Sequence, residues 1–121
     1  SSICWFMNCT NKLSRTLFSI VNVDDNGISG NIPTELRTLA SLRELHLSNN
    51  NLIGSIPSEL GQISTLQYLD LYNNAFTGTL PTELGTMSSL QVLTLDNNNL
   101  IGSIPSELGQ ISTLQYLDLS N

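Results

Sequence analysis

The sequence predicts an α/β solenoid: a right-handed superhelix with a parallel sheet on its concave side and short helical turns on its convex side. Three observations carry that reading. Residues 49–71, NNNLIGSIPSELGQISTLQYLDL, recur letter for letter at residues 97–119, an offset of 48. A diverged copy between them halves the offset to 24. Four residue columns keep that spacing: Asn26, Asn50, Asn74 and Asn98; Gly30, Gly54, Gly78 and Gly102; Pro33, Pro57, Pro81 and Pro105; Leu36, Leu60, Leu84 and Leu108. Self-similarity at a fixed period of this size means one supersecondary unit stacked on copies of itself.

The elements of one unit follow in order. Leu45 and Leu47 alternate with polar neighbours, which argues for a short strand with one buried face. Stacking predicts five parallel strands at about residues 21–23, 45–47, 69–71, 93–95 and 117–119. A tight bend must follow each strand and leaves backbone groups unpaired. A buried amide at Asn26, Asn50, Asn74 or Asn98 can satisfy them as a ladder. The segment SIPSELG then opens a helical turn at Pro57 and closes it at Gly61, read as a left-handed exit. Glu59, Glu83 and Glu107 fall in the first turn, where the helix dipole favours negative charge. So short a turn cannot hold itself, and neighbouring turns must support it.

Around each ladder asparagine the letters read L-x-x-L-x-L-x-x-N-x-L, as Leu42, Leu45, Leu47, Asn50 and Leu52, and again as Leu90, Leu93, Leu95, Asn98 and Leu100. With the continuation LIGSIPSELG, residues 21–121 resemble the plant-type, 24-residue extracellular leucine-rich repeat family. That family includes receptor-like kinases, receptor-like proteins and polygalacturonase-inhibiting proteins. The resemblance implies a secreted or cell-surface location, a protein or peptide ligand on the concave sheet, and a signalling role. It also implies a parent protein that is membrane-anchored.

The chain divides into an N-terminal cap, residues 1–20, and about four and a half repeats over residues 21–121, the last truncated. It stops at Asn121, one position before the next ladder asparagine would fall, so it reads as a piece of a longer array. Ile111, Leu114, Leu117 and Leu119 are expected to face solvent there. The segment CWFMNC resembles the cysteine-bearing cap of plant-type repeats, although its Trp-to-Cys spacing is shorter by one residue. That resemblance implies a Cys4–Cys9 disulfide, with two free thiols as the alternative. Asn8-Cys9-Thr10 fits the glycosylation pattern, which places a candidate glycan on Asn8. No run reads as a signal peptide or a transmembrane helix.

Net charge is −6, and Lys12, Arg15, Arg37 and Arg43 all precede residue 44. The remainder is purely acidic, which disfavours nucleic acid and anionic membrane surfaces as partners. Two cysteines and one distant His46 predict no metal site, and no cofactor motif is present.

Function in a solenoid is argued from the positions free to vary. Side chains flanking the buried leucines project from the concave sheet in three columns. They are Glu44, Tyr68, Val92 and Tyr116; then Asn22, His46, Asp70, Thr94 and Asp118; then Asp24, Ser48, Tyr72, Asp96 and Ser120. The candidate ligand contacts are Glu44, His46, Tyr68, Asp70, Tyr72, Thr94, Asp96, Tyr116 and Asp118, because they combine rings with charge. Catalysis is not expected. Asp70 and Asp118 stand two strands apart, about 10 Å, and Glu44, His46 and Ser48 in line merely reflect alternation. Three readings follow: a protein- or peptide-binding receptor module, a cell-wall polysaccharide binder or polygalacturonase-inhibitor-like protein, and an ice-binding solenoid.

Overall fold

The computed structural model describes residues 18–120. The cap cysteines Cys4 and Cys9, the glycosylation candidate Asn8 and most of the expected cap lie outside them. The described chain winds as stacked turns that build two parallel sheets. The larger joins β1 (Ile20–Asn22), β3 (Glu44–His46), β5 (Tyr68–Asp70), β7 (Val92–Thr94) and β8 (Tyr116–Asp118) in that order. The smaller joins β2 (Ser29–Gly30), β4 (Asn51–Ser55) and β6 (Ala75–Thr77). Register follows the 24-residue period: Leu45 pairs with Leu69, Leu69 with Leu93 and Leu93 with Leu117.

Each strand of the larger sheet begins one residue earlier than the alternation suggested. Pairing already starts at the Tyr68 amide, which donates to the Arg43 carbonyl at 3.0 Å. The second leucine of each pair leads into the bend instead. Inter-turn bonding still reaches it, as in Leu47 N–H to the Asp70 carbonyl, 2.9 Å. The smaller sheet was not anticipated. Its strands lie just after the ladder asparagines, in a stretch with little alternation to reveal them.

The bend itself needs a left-handed residue. Asp25, Asn49, Asn73 and Asn97 take φ of 60°, 55°, 56° and 58°, a region that Asn and Asp side chains tolerate better than most. The following asparagine closes the bend. Asn50 Oδ1 accepts the amides of Asn26 (3.1 Å) and Ile28 (2.9 Å), while its Nδ2 donates to the carbonyls of Val23, Leu47 and Ser48 at 3.0 to 3.1 Å. Asn98 repeats the arrangement with the Phe76 amide and the Leu71 and Leu95 carbonyls. Asn74 accepts from Leu52 and donates to Leu47, but it is half-buried where Asn50 (7% exposed) and Asn98 (8%) are buried. Asn26 is exposed, and its amide reaches the Asp24 carbonyl of its own bend at 2.8 Å. Burial along the ladder is therefore uneven, with Asn50 and Asn98 sealed, Asn74 half-buried and Asn26 open to solvent.

The convex turns are 3₁₀ rather than α: η1 (Thr34–Thr38), η2 (Ser58–Gln62), η3 (Thr82–Thr86) and η4 (Ser106–Gln110). Their bonds are i to i+3, as from the Leu60 amide to the Pro57 carbonyl at 3.2 Å. Pro57 precedes the helix with extended backbone (ψ 136°) instead of occupying its first position. Gly61 lies inside η2 and is not a left-handed exit. Its reason is close approach: a Cβ there would collide with the Glu83 carbonyl of the next turn, and one at Gly85 with that of Glu107. The left-handed glycines are the other column, Gly30, Gly54, Gly78 and Gly102, together with Gly27 in the first bend.

The core is a continuous file of aliphatic side chains, with Leu42, Leu45, Leu66, Leu69, Leu90 and Leu93 fully buried. Phe76 replaces a leucine in the diverged copy and is equally buried. In the last turn Leu117 is 41% exposed, whereas its identical counterpart Leu69 is at 0%. Ile111, expected to face solvent, is buried, and Leu114 and Leu119 are partly so. The side chains beside η4 are sheltered within their own turn, while the strand leucine needs a neighbour above it.

Two stability outcomes follow. Asn98→Ala leaves bend amides and carbonyls unpaired and lowers unfolding free energy by about 1–3 kcal/mol; Ser103→Ala, at an exposed site, changes it little. Equal urea midpoints for the two variants would contradict the ladder's role. Gly61→Ala forces apart two closely packed turns and costs about 1–3 kcal/mol. Gly109→Ala meets nothing within 4 Å, so it should be neutral or slightly stabilising in the same denaturation series.

Candidate functional site: the concave sheet

The larger sheet fixes the site. Its register aligns Glu44, Tyr68, Val92 and Tyr116 in one row and His46, Asp70, Thr94 and Asp118 in the next. Alternation along each strand sends the intervening leucines into the core and these side chains outward. Tyr72 and Asp96 continue from the ends of β5 and β7. Glu44, His46, Tyr68, Asp70, Tyr72, Thr94, Asp96 and Asp118 are all partly buried, and Tyr116 is 54% exposed.

The polar groups are densely connected on the side of β3 and β5. Glu44 Oε1 lies 3.0 Å from His46 Nε2. The imidazole packs against the Tyr68 ring, with centroids 4.7 Å apart and planes inclined at 32°. Asp70 Oδ1 accepts the Thr94 hydroxyl at 2.6 Å and the Tyr72 amide at 3.1 Å. Asp118 Oδ1 accepts the amide and hydroxyl of Ser120 at 3.0 and 2.8 Å. These aspartates brace the entrance to the bend as well as facing outward.

Electrostatics follow from this crowding. Burial, reinforced by the carboxylates of Asp70, Glu44 and Asp24 and by Tyr116, raises the Tyr68 phenol above its ordinary value and keeps it a neutral hydrogen-bond donor. The Ser120 amide, helped by the Ser120 hydroxyl, holds Asp118 below the usual carboxylate range. Asp118 therefore stays charged as pH falls into the range where carboxylates begin to protonate.

His46 does not stand apart from other ligand-type side chains, as its isolation in sequence suggested. Asp24 and Asp70 converge on it, with one donor atom from each of the three within 4.8 Å of the others. Asp24 is the residue that sequence reasoning left out of the candidate set. It follows β1 and reaches one turn onward, where its Oδ1 accepts the Ser48 amide at 2.7 Å. Its signal was its place in the outward column with Ser48 and Tyr72. Among the described residues no helix is long and apolar enough to cross a membrane.

Comparison with known proteins places this architecture. The family model described as leucine rich repeat matches residues 40–100 and 64–121. No curated protein matches the chain. Among solved structures, the chain is similar to the ectodomain of the Arabidopsis thaliana membrane receptor kinase GASSHO1/SCHENGEN3, solved in complex with CASPARIAN STRIP INTEGRITY FACTOR 2. Identity is 42% and the TM-score 0.81, over 83% of this chain and 12% of that one. The Arabidopsis receptor kinase HAESA, in complex with the peptide hormone IDA and the co-receptor SERK1, is 36% identical with a TM-score of 0.81, over 88% and 18%. A plant ice-binding protein is 30% identical with a TM-score of 0.76, over 83% and 35%. The chain thus spans under a fifth of the receptor ectodomains named and about a third of the ice-binding protein. Its period, its asparagine bends and these matches agree: the chain belongs to the leucine-rich repeat family, in the form found in plant receptor ectodomains.

Proposed function

We propose that this chain is a non-enzymatic binding module that acts outside the cell and docks a peptide or protein along its concave sheet. The observation that carries the reading is the make-up of that face. Tyr68, Tyr72 and Tyr116 supply ring area at low entropy cost, and Asp70, Asp96 and Asp118 supply charge beside them. Two similar ectodomains were solved with CASPARIAN STRIP INTEGRITY FACTOR 2 and with the peptide hormone IDA, which supports a peptide as the ligand class. Glu44 and His46 extend the polar rim, and Thr94 adds a hydroxyl between the tyrosine rows.

The net charge of −6 and the absence of any Lys or Arg beyond Arg43 favour a basic ligand. Immobilised chain should therefore retain basic synthetic peptides over acidic ones. Retention should weaken as salt rises from about 50 to about 500 mM, because the Debye length shortens several-fold. Tyr68→Ala and Tyr116→Ala should each weaken binding by about tenfold or more. Retention indifferent to both tyrosines, in variants with unchanged circular dichroism, would move the site off this face.

A second reading is favoured by one observation. Asn73 Nδ2 donates to Asn49 Oδ1 at 2.8 Å across adjacent turns, aligning two surface amides, and the chain is 30% identical to a plant ice-binding protein. On that reading the tyrosine variants keep full activity in an ice-recrystallisation assay, while Asn49→Ala and Asn73→Ala reduce it. An inactive wild-type chain in that assay removes this alternative.

A further inference from the structure

We propose that Asp24, His46 and Asp70 form a site for a divalent transition-metal ion of the zinc class on the concave sheet. Three successive turns supply one ligand each. Asp24 comes from the turn after β1, His46 from β3 and Asp70 from β5, and their donor atoms lie within 4.8 Å of one another. In a tetrahedral shell with metal–ligand distances near 2.0–2.2 Å, donors sit about 3.3 Å apart. The three groups therefore need to close by up to about 1.5 Å, within the reach of side-chain torsions on a fixed backbone.

That backbone is fixed. The Val23 amide donates to the His46 carbonyl at 3.0 Å, and the Leu47 amide to the Asp70 carbonyl at 2.9 Å, so the three turns are tied beside the ligands. His46 and Asp70 are carried on paired strands, which hold geometry better than loops, and Asp24, in the turn after β1, is tied by the Ser48 amide.

Each ligand is also oriented by a neighbour, in the manner of an outer coordination shell. Asp24 Oδ1 accepts the Ser48 amide, and Asp70 Oδ1 accepts the Tyr72 amide and the Thr94 hydroxyl. Glu44 lies 3.0 Å from His46 Nε2. In the neutral ring Nε2 donates its hydrogen to Glu44, which leaves the lone pair on Nδ1 for a metal. The Tyr68 ring against the imidazole limits its rotation.

Donor chemistry selects the ion. A mixed set of one imidazole and two carboxylates suits zinc and its neighbours, whereas calcium and magnesium prefer shells made of oxygen alone. Two carboxylates around a neutral imidazole offset the charge of a divalent cation, and Glu44 adds a third negative charge close by. Three protein ligands leave a coordination position open toward solvent, on the surface where a ligand would dock.

The test is calorimetric titration of the full chain with zinc chloride, with magnesium chloride as the control. The expected result is saturable uptake of one zinc per chain and none of magnesium. His46→Ala, Asp24→Asn and Asp70→Asn should each weaken zinc affinity by about tenfold or more. The asparagine variants keep an oxygen for the Ser48, Tyr72 and Thr94 bonds, so their circular dichroism should match the wild type. His46 is the only histidine, so its imidazole resonances report binding directly and should shift in step with uptake. Zinc uptake that survives His46→Ala at full affinity, or imidazole resonances that do not move, would overturn the assignment. So would the lack of any saturable uptake.

Discussion

Every turn of this solenoid contains a bend whose backbone cannot bond to itself, and one side-chain amide resolves it. Asn50 and Asn98 each bind amides and carbonyls of two consecutive turns, so the group that closes one bend also clamps it to its predecessor. Burying backbone polar groups without partners is costly, so the leucine core can approach this closely only because the bend is satisfied from within. Among the described residues, no buried side-chain polar atom lacks a hydrogen bond. The left-handed residue before each ladder asparagine belongs to the same solution, since it turns the chain sharply enough to bring the amide beneath the preceding bend.

Because the clamp repeats every 24 residues, it dictates which outward side chains become neighbours. Tyr68 meets His46 and Asp70 lies in register with Thr94 because the bends align the strands, whatever the outward residues are. The scaffold and its outward face are thus largely separable. Core and bend positions carry stability, as do the outward aspartates that brace a bend, and the remaining outward strand positions can be exchanged with less structural consequence. The clustering of acids and rings near β3 and β5 is a property of these particular letters, laid on a frame that would carry others equally well.

Most of that frame was legible in the sequence, because identical spacing in four columns leaves few alternatives. The five strands, their parallel order and the outward rows follow from period and alternation alone. The errors share a cause: one letter can serve two physical ends. Glycine marks a left-handed backbone at Gly54 and a close approach at Gly61, and only the surroundings tell them apart. Pro57 suits a first helical position and also the extended residue just before one. The convergence of Asp24 on His46 was hidden for another reason. It depends on how far a bend carries a side chain across its neighbour, and no periodicity encodes that distance.

The two identical segments, residues 49–71 and 97–119, behave differently in the structure. Leu69 is sealed while Leu117 is open, and Tyr68 is partly buried while Tyr116 is exposed. Their order in the stack is therefore recorded nowhere within those 23 letters. During folding each could dock equally well against the diverged turn that separates them, and so could the same segment of another molecule. What assigns each its place is covalent connectivity through that middle turn, with Phe76 as its distinguishing side chain. The duplication thus exposes the chain to exchange between molecules, a hazard that divergence of neighbouring repeats would remove.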